Sequence, residues 1–234
     1  MKTLGLLGGM SWESSVVYEK IINESVRDAL GGVASADLIV RSFNFADIEK
    51  LQATHDWDSA GEVLARSAAD LERVGAEAIV LCTNTMHRVA DAIETAISVP
   101  LLHIVDATGK AIQATRVKRV ALLGTRYTME QPFYRDALAE RYNLEVVVPS
   151  EEERDTIHSI IYDELVQGII NPASREQVLE VIGRMSREDA VQGVIAGCTE
   201  IELLVTQDDL DVPYFPTTTL HARHAANFAL GQSD

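Results

Sequence analysis

The chain of 234 residues is poor in cysteine, poor in basic side chains and without any long apolar run. Its two cysteines, Cys82 and Cys198, each follow a short apolar stretch. That is unlike the dense spacing of a secreted disulfide framework, so both are expected as free thiols in a reducing, cytoplasmic setting. No apolar segment approaches the roughly 18 residues that span a bilayer, and Met1-Lys2 leads into a strand with no signal-peptide pattern, so no membrane partner is expected. Against 36 Asp and Glu stand only 20 Lys and Arg, a formal net charge of −16. The mean field therefore repels phosphate backbones and disfavours nucleic-acid binding. No Ser/Gly-rich or Pro-rich linker marks a boundary, so two lobes, if present, are closely joined. Gly5–Gly9 is neither a GxGxxG dinucleotide loop nor a Walker loop. His221 and His224 share a helical face but lack companion ligands, and no metal is expected.

What the chain does have is apolar content, 47% of residues, enough for a sizeable core. Strand-length apolar runs at 3–7, 37–42, 77–81, 100–103, 119–123, 144–148, 192–196 and 213–215 alternate with helical patterns. The helices are expected at 13–29, 59–74, 85–97, 106–115, 129–141, 151–167, 173–187, 199–206 and 217–230. Such alternation implies parallel sheets covered by helices. The chain also repeats itself. LGLLGG from Leu4 matches VALLGT from Val120, an offset of 116, and Tyr18 meets Tyr134 at the same offset. AIVLCT from Ala78 matches GVIAGC from Gly193 at 115, and VPLL from Val99 matches VPYF from Val212 at 113. Three matches at nearly one offset predict an α/β fold of two similar, pseudo-twofold-related lobes. Each is a parallel-rich sheet flanked by helices, and lobes that face one another would set the active site in the cleft between them. The expected boundaries are 1–97 plus 209–234 for the first lobe and 98–208 for the second.

Ligands of parallel α/β sheets gather beyond the carboxyl ends of the strands. There the repeats place Gly8 to Trp12, then Thr83, Asn84 and Thr85, then Thr125 to Thr128, and finally Cys198, Thr199 and Glu200. Facing lobes would set Thr83 and Cys198 on opposite sides of one small carbon centre, an arrangement suited to removing a proton from one face and returning one to the other. A thiol at the strand-to-helix turn Gly197-Cys198-Thr199-Glu200 is expected to have a depressed pKa. Adjacent backbone amides would hold a substrate carboxylate. The bland readings are a structural buried thiol for Cys198 and helix capping for Thr83, Asn84 and Thr85. Met10 and Trp12 are candidates for stapling the first helix or binding, and His87 for a satisfied polar residue. Ser150 and Glu153 form a capping-box pattern at a solvated helix start. None of the five lysines lies in the paired motifs, which argues against a pyridoxal Schiff base.

At LGGMSWESS, CTNTMH, GTRYTMEQPFY and GCTEIELL the sequence resembles the aspartate/glutamate racemase family of cofactor-independent amino-acid racemases, over essentially the whole chain. The wording of MSWES and LCTNTMH is similar to the branch that is broad in specificity or directed to L-aspartate and L-glutamate. The resemblance implies two α/β lobes, no cofactor, an amino-acid substrate and a homodimer. It implies Thr83 and Cys198 as catalytic positions, with Met10, Gln52, Asn84, Thr85, Thr125, Thr128, Thr199 and Glu200 at the substrate. One departure stands out. The family's first-half motif is Cys-Asn-Thr-x-His, and Thr83 occupies the position of its cysteine, while Cys82 lies one residue early and is expected to face the core. A second departure is Val166, where the aspartate-specific branch would carry a lysine. The expected enzyme is an asymmetric racemase. Its alternatives are a decarboxylase or maleate-type isomerase of the same fold using Cys198, or a non-catalytic amino-acid sensor.

Overall fold

The computed structural model describes residues 1–232. It contains two four-stranded parallel sheets, one in each of two compact units. The first unit comprises Met1–Ile104 and the chain from His221 onward, and the second is Val105–Leu220. All eight strands lie where the apolar runs place them: β1 Leu4–Gly8, β2 Leu38–Ser42, β3 Ala78–Leu81, β4 Leu101–Leu102, β5 Arg119–Gly124, β6 Glu145–Val147, β7 Val194–Gly197 and β8 Tyr214–Pro216. The helices are α1 Trp12–Leu30, α2 Phe45–Ala53, α3 Trp57–Arg73, α4 Ala90–Ala96, α5 Ile104–Gln113, α6 Arg126–Glu130, α7 Pro132–Tyr142, α8 Glu151–Ser159, α9 Pro172–Glu188, α10 Ile201–Leu204 and α11 Thr217–Leu230.

The sheet orders are β2-β1-β3-β4 and β6-β5-β7-β8, the same winding twice. In each, the chain leaves the first strand to one side and returns to its other side. The connections therefore diverge beyond the carboxyl ends of β1 and β3, and again beyond β5 and β7, opening a crevice there. The register is in step, with Leu4 opposite Ala78 and Ala121 opposite Val194.

Alternation along each strand decides which residues enter which layer. Leu4 and Leu6 of β1, with Ala78, Val80 and Cys82, pack against Tyr18 and Ile22 of α1 and four alanines of α11. Leu7, Ile79 and Leu81 point the other way, onto Leu64, Ala68 and Leu71 of α3. Each fully buried leucine or isoleucine contributes about 1.5–3 kcal/mol, which makes the two-sided burial of β1 and β3 the main anchor of this sheet. In the second unit Ala121, Leu123, Val194, Ala196 and Cys198 share a core with Ile157, Val178, Ile182 and Met185 of α8 and α9.

The expected lobe boundaries shift. Residues 98–104 stay with the first unit because β4 pairs with β3, and 209–220 stay with the second because β8 pairs with β7. The tail therefore contributes a strand to one unit and most of a helix to the other. Other differences are local. The pattern over 129–141 is two helices, α6 and α7, broken where Gln131 precedes Pro132 in extended conformation. The pattern over 151–167 ends as α8, then a π-helical turn Ile160–Glu164 and a 3-10 turn Leu165–Gln167. The pattern over 199–206 shrinks to the single turn of α10. The nine-residue α2 has no counterpart among the expected elements. The capping box at Ser150 and Glu153 forms as its spacing predicts.

At the strand ends of the second unit the backbones nearly touch. A Cβ placed on Gly124 would lie 2.7 Å from the Gly197 carbonyl oxygen. Gly124→Ala is expected to destabilise the protein by about 1–3 kcal/mol through this overpacking. Gly183→Ala, whose added methyl meets only the flexible end of Arg187, serves as the control, and urea denaturation of the two variants is the measurement.

Candidate active site

In the first unit the loop after β1 is held by hydroxyls. Gly9 N–H donates to Ser15 Oγ at 2.7 Å, Ser15 Oγ donates to the Ser11 carbonyl at 3.0 Å, and Ser11 Oγ caps α1 by accepting from Ser14 N–H at 3.4 Å. Gly9 takes φ +82°, and a Cβ there would strike the Phe43 backbone at 2.4 Å. Met10 is buried in the core beside Ile48 and Met86, so the structure gives its side chain a packing role. Gln52, on α2, is buried and donates from Nε2 to the Met86 sulfur at 3.0 Å.

Thr83 follows β3, buried together with Asn84 and Thr85, which open the 3-10 turn Thr85–Val89. Asn84 stands at the cap position without a side-chain capping bond. Cys82 continues the Ala78, Val80 alternation into the core, and burial pushes its thiol far up from the ordinary value. The one-residue difference between Cys82 and Thr83 thus separates a core thiol from a strand-end hydroxyl.

Behind Thr83 lies a buried histidine network. His87 Nε2 accepts the Ile104 N–H at 3.2 Å, so the imidazole is neutral and its Nδ1–H donates to the Thr83 carbonyl at 2.7 Å. By the same logic His221 donates from Nε2 to the Leu102 carbonyl at 2.6 Å and accepts at Nδ1 from the Tyr18 hydroxyl at 2.8 Å. The His103 ring stands 4.5 Å from that of His87 and the His221 ring 5.8 Å. Burial first, then repulsion from His103 and His221, hold the His87 pKa well below its usual value against the opposing Thr83 bond.

In the second unit Thr125 Oγ1 caps α6 by accepting from Thr128 N–H at 3.3 Å, and the two hydroxyls lie 3.2 Å apart. Ser11 and Ser14 make the same pair after β1. Those serines are strand-end hydroxyls that the motif reading did not name as ligands; the signal available was the shared spacing of two hydroxyl residues three apart just after β1 and β5, at an offset of 114 rather than the 116 of the strands themselves. The neighbouring Arg126 guanidinium is engaged by Asp155 and lies 3.6 Å from Glu130. Val166 packs against the core cluster.

Cys198 is 6% exposed and donates from Sγ to Glu200 Oε2 at 2.9 Å; the Thr199 hydroxyl donates to the same oxygen at 2.7 Å. The expected depressed pKa is overturned. Burial, then the Glu200 charge and its hydrogen bond, push the thiol well up, outweighing backbone N–H groups of Glu200 and Ile201 that work the other way. The helix that was to supply the dipole is one turn long, too short to offset desolvation. Cys198 is thus held as a thiol, hydrogen-bonded to Glu200. Two residues on, Glu202 accepts from Thr218 N–H at 2.6 Å, Thr219 N–H at 3.4 Å and Thr219 Oγ1 at 3.0 Å. Burial lifts its pKa to about 7 despite these donors. Among the described residues no group of three or more His, Cys, Asp or Glu side chains is arranged to hold a metal, and no helix is long and apolar enough to cross a membrane.

The fold is of the doubly wound α/β class in each of its two units, with buried threonines beyond the central strands: Thr83 and Thr85 in the first, Thr125 and Thr199 in the second. The chain belongs to the Asp/Glu/Hydantoin racemase family, which it matches over residues 7–225. It is an isomerase of the racemase type. It is 25% identical to the broad specificity amino-acid racemase RacX of Bacillus subtilis (strain 168) over 171 residues, 72% of this chain and 71% of that one. An aspartate racemase homologue from Pyrococcus horikoshii OT3 superimposes with TM-score 0.86 at 35% identity, covering 98% of this chain and all of the other. Glutamate racemase from Francisella tularensis, solved with D-glutamate, shares the fold alone, at TM-score 0.66 and 16% identity over 98% of this chain and 81% of that one.

Buried His87 and half-buried Glu202, beyond the strand ends, titrate with opposite sign. The folded state keeps His87 neutral, so stability is full above pH 6.5 and falls as the unfolded chain alone takes up the proton below it. Glu202 prefers its protonated form in the fold, so its contribution is full below pH 4.5 and gone once the pH passes about 7. Relative to wild type, Glu202→Gln is expected to gain up to about 1.4 kcal/mol per pH unit across that window, while His87→Asn gains on going down from pH 6.5. Urea midpoints between pH 4.5 and 8 measure both.

Proposed function

We propose that the protein is a cofactor-independent amino-acid racemase in which Cys198 and Thr83 are the two proton-transfer positions. The observation that carries this reading is the 2.9 Å hydrogen bond from Cys198 Sγ to Glu200 Oε2. A buried thiol is no base, but passing its proton to Glu200 makes it one. The thiolate then takes the proton from Cα on one face, which leaves Cys198 and Glu200 both protonated, and the surplus proton passes to solvent to restore the thiol and the carboxylate. Thr83 delivers a proton from its hydroxyl to the opposite face of the carbanion, and water restores the hydroxyl. Asn84, Thr85, Thr125, Thr128 and Thr199 supply short polar side chains to hold the ammonium and carboxylate, and backbone N–H groups of Glu200 and Ile201 add positive field near the sulfur.

A hydroxyl is a far poorer base than a thiolate, so the Thr83 side limits turnover. The equilibrium constant between enantiomers is one, which obliges kcat/KM to be equal in the two directions. The asymmetry therefore appears in kcat and KM separately. The substrate is an amino acid of the aspartate and glutamate kind or broader. Arg126, the cation beside Thr125 and Thr128, is already held by Asp155 and Glu130, so a side-chain carboxylate would have to compete for it, which favours a broad range. A second reading, a decarboxylase or isomerase relying on Cys198 alone, draws on the threonine at position 83.

The test is proton NMR in heavy water with L- and D-aspartate, L- and D-glutamate and several neutral amino acids, alongside chiral chromatography and without added cofactor. α-Proton exchange with inversion is expected, reduced about 10²–10⁴-fold in Cys198→Ser. Thr83→Cys is expected to bring the two kcat values together. Absence of exchange with every amino acid tested would overturn the racemase reading; loss of carboxylate carbon from a malonate in its place would establish the second.

A further inference from the structure

Each proposed proton-transfer position is followed four residues later by a polar side chain, buried at His87 and half-buried at Glu202, that takes no part in the chemistry above. His87 follows Thr83, and Glu202 follows Cys198. The offset of 115 that matches Thr83 to Cys198 also matches His87 to Glu202.

Their bonds correspond although the side chains do not. His87 Nε2 accepts the N–H of Ile104, first residue of α5, the helix that follows β4. The Glu202 carboxylate accepts the N–H groups of Thr218 and Thr219 in the first turn of α11, the helix that follows β8. Both satisfy donors that a helix start leaves without an intrahelical partner. At their near ends both are bound into the reactive turn. His87 Nδ1–H holds the Thr83 carbonyl at 2.7 Å, and Glu202 directly follows Ile201, whose N–H holds the Cys198 carbonyl at 3.1 Å. A second tie runs beside the Glu202 clamp, from Thr217 Oγ1 to the Ala196 carbonyl at 2.6 Å. Ordinary caps use a side chain at the helix's own start. Here each cap reaches across from the turn that carries a reactive group, so the position of that group depends on it.

We propose that His87 and Glu202 are a matched pair of positioning residues, each clamping the turn of one proton-transfer group to the helix that follows its sheet's last strand. The proposal rests on the racemase reading. Misplacement of a reactive group by about an ångström costs on the order of 10²-fold in rate, and each clamp serves one face of the substrate.

The experiment measures primary isotope effects with α-deuterated L and D substrate for wild type, Glu202→Gln and His87→Asn. His87→Asn keeps a donor for the Thr83 carbonyl and removes the acceptor for Ile104. The enantiomer served by Cys198 is the one whose α-proton still exchanges in Thr83→Ala. Both variants are expected to lose about 10- to 100-fold in kcat. In Glu202→Gln the ratio of the two isotope effects shifts toward the enantiomer served by Cys198, and in His87→Asn it does not. If Glu202→Gln fails to fold, Thr219→Val, which removes one donor to the carboxylate, is expected to shift the ratio the same way to a smaller extent. Equal losses with an unchanged ratio, or a shift in the same direction in both variants, overturn the pairing while leaving the racemase intact. A wild-type protein that exchanges no α-proton overturns both.

Discussion

The parallel pairing of β1 with β3, and of β5 with β7, is the constraint on which the reactive groups depend. Parallel neighbours deliver their carboxyl ends to the same edge, and winding outward to both sides of the first strand leaves that edge open. Thr83 stands beside the Gly9 to Ser11 loop for that reason, and Cys198 beside Thr125 and Thr128. The close approach of Gly124 to Gly197 shows how tightly the two strand ends are drawn together. Buried leucine, isoleucine and valine on both faces of the inner strands hold the pairing, and the site inherits its rigidity from them.

Two thiols in one chain illustrate how little a residue type says alone. Cys82 and Cys198 are both buried and both raised in pKa by desolvation. Cys82 belongs to the strand phase of Ala78 and Val80 and ends in the layer of α1 and α11. Cys198 belongs to the phase of Val194 and Ala196, one residue out of step with its counterpart, and reaches a carboxylate. In the proposed mechanism that carboxylate makes the thiol a proton carrier that is armed on demand rather than standing as a thiolate.

The repeat is kept in geometry and relaxed in chemistry. Tyr18 and Tyr134 are both fully buried after the first strand of their sheets. Tyr18 bonds His221, and Tyr134 lies 3.4 Å from the Thr108 hydroxyl. His87 and Glu202 likewise share a place and differ in charge. Each half has kept the hydrogen-bond topology that its strand ends require and changed the group that supplies it.

The strands, the repeat, the strand-end clusters and the capping box at Ser150 could all be read in the sequence, because each depends on local periodicity or on a short motif with one mechanical meaning. The helix α2 escaped notice since only Ile48 and Gln52 of its nine residues are buried, too few to set a period. The lobe boundaries were misread because strand partnership, not chain continuity, assigns β4 and β8. The protonation of Cys198 and the clamps of His87 and Glu202 belong to tertiary structure alone. Desolvation and the direction of a hydrogen bond arise only when residues distant in sequence, such as Ile104 with His87 and Thr218 with Glu202, are brought to within 3.2 Å and 2.6 Å of one another.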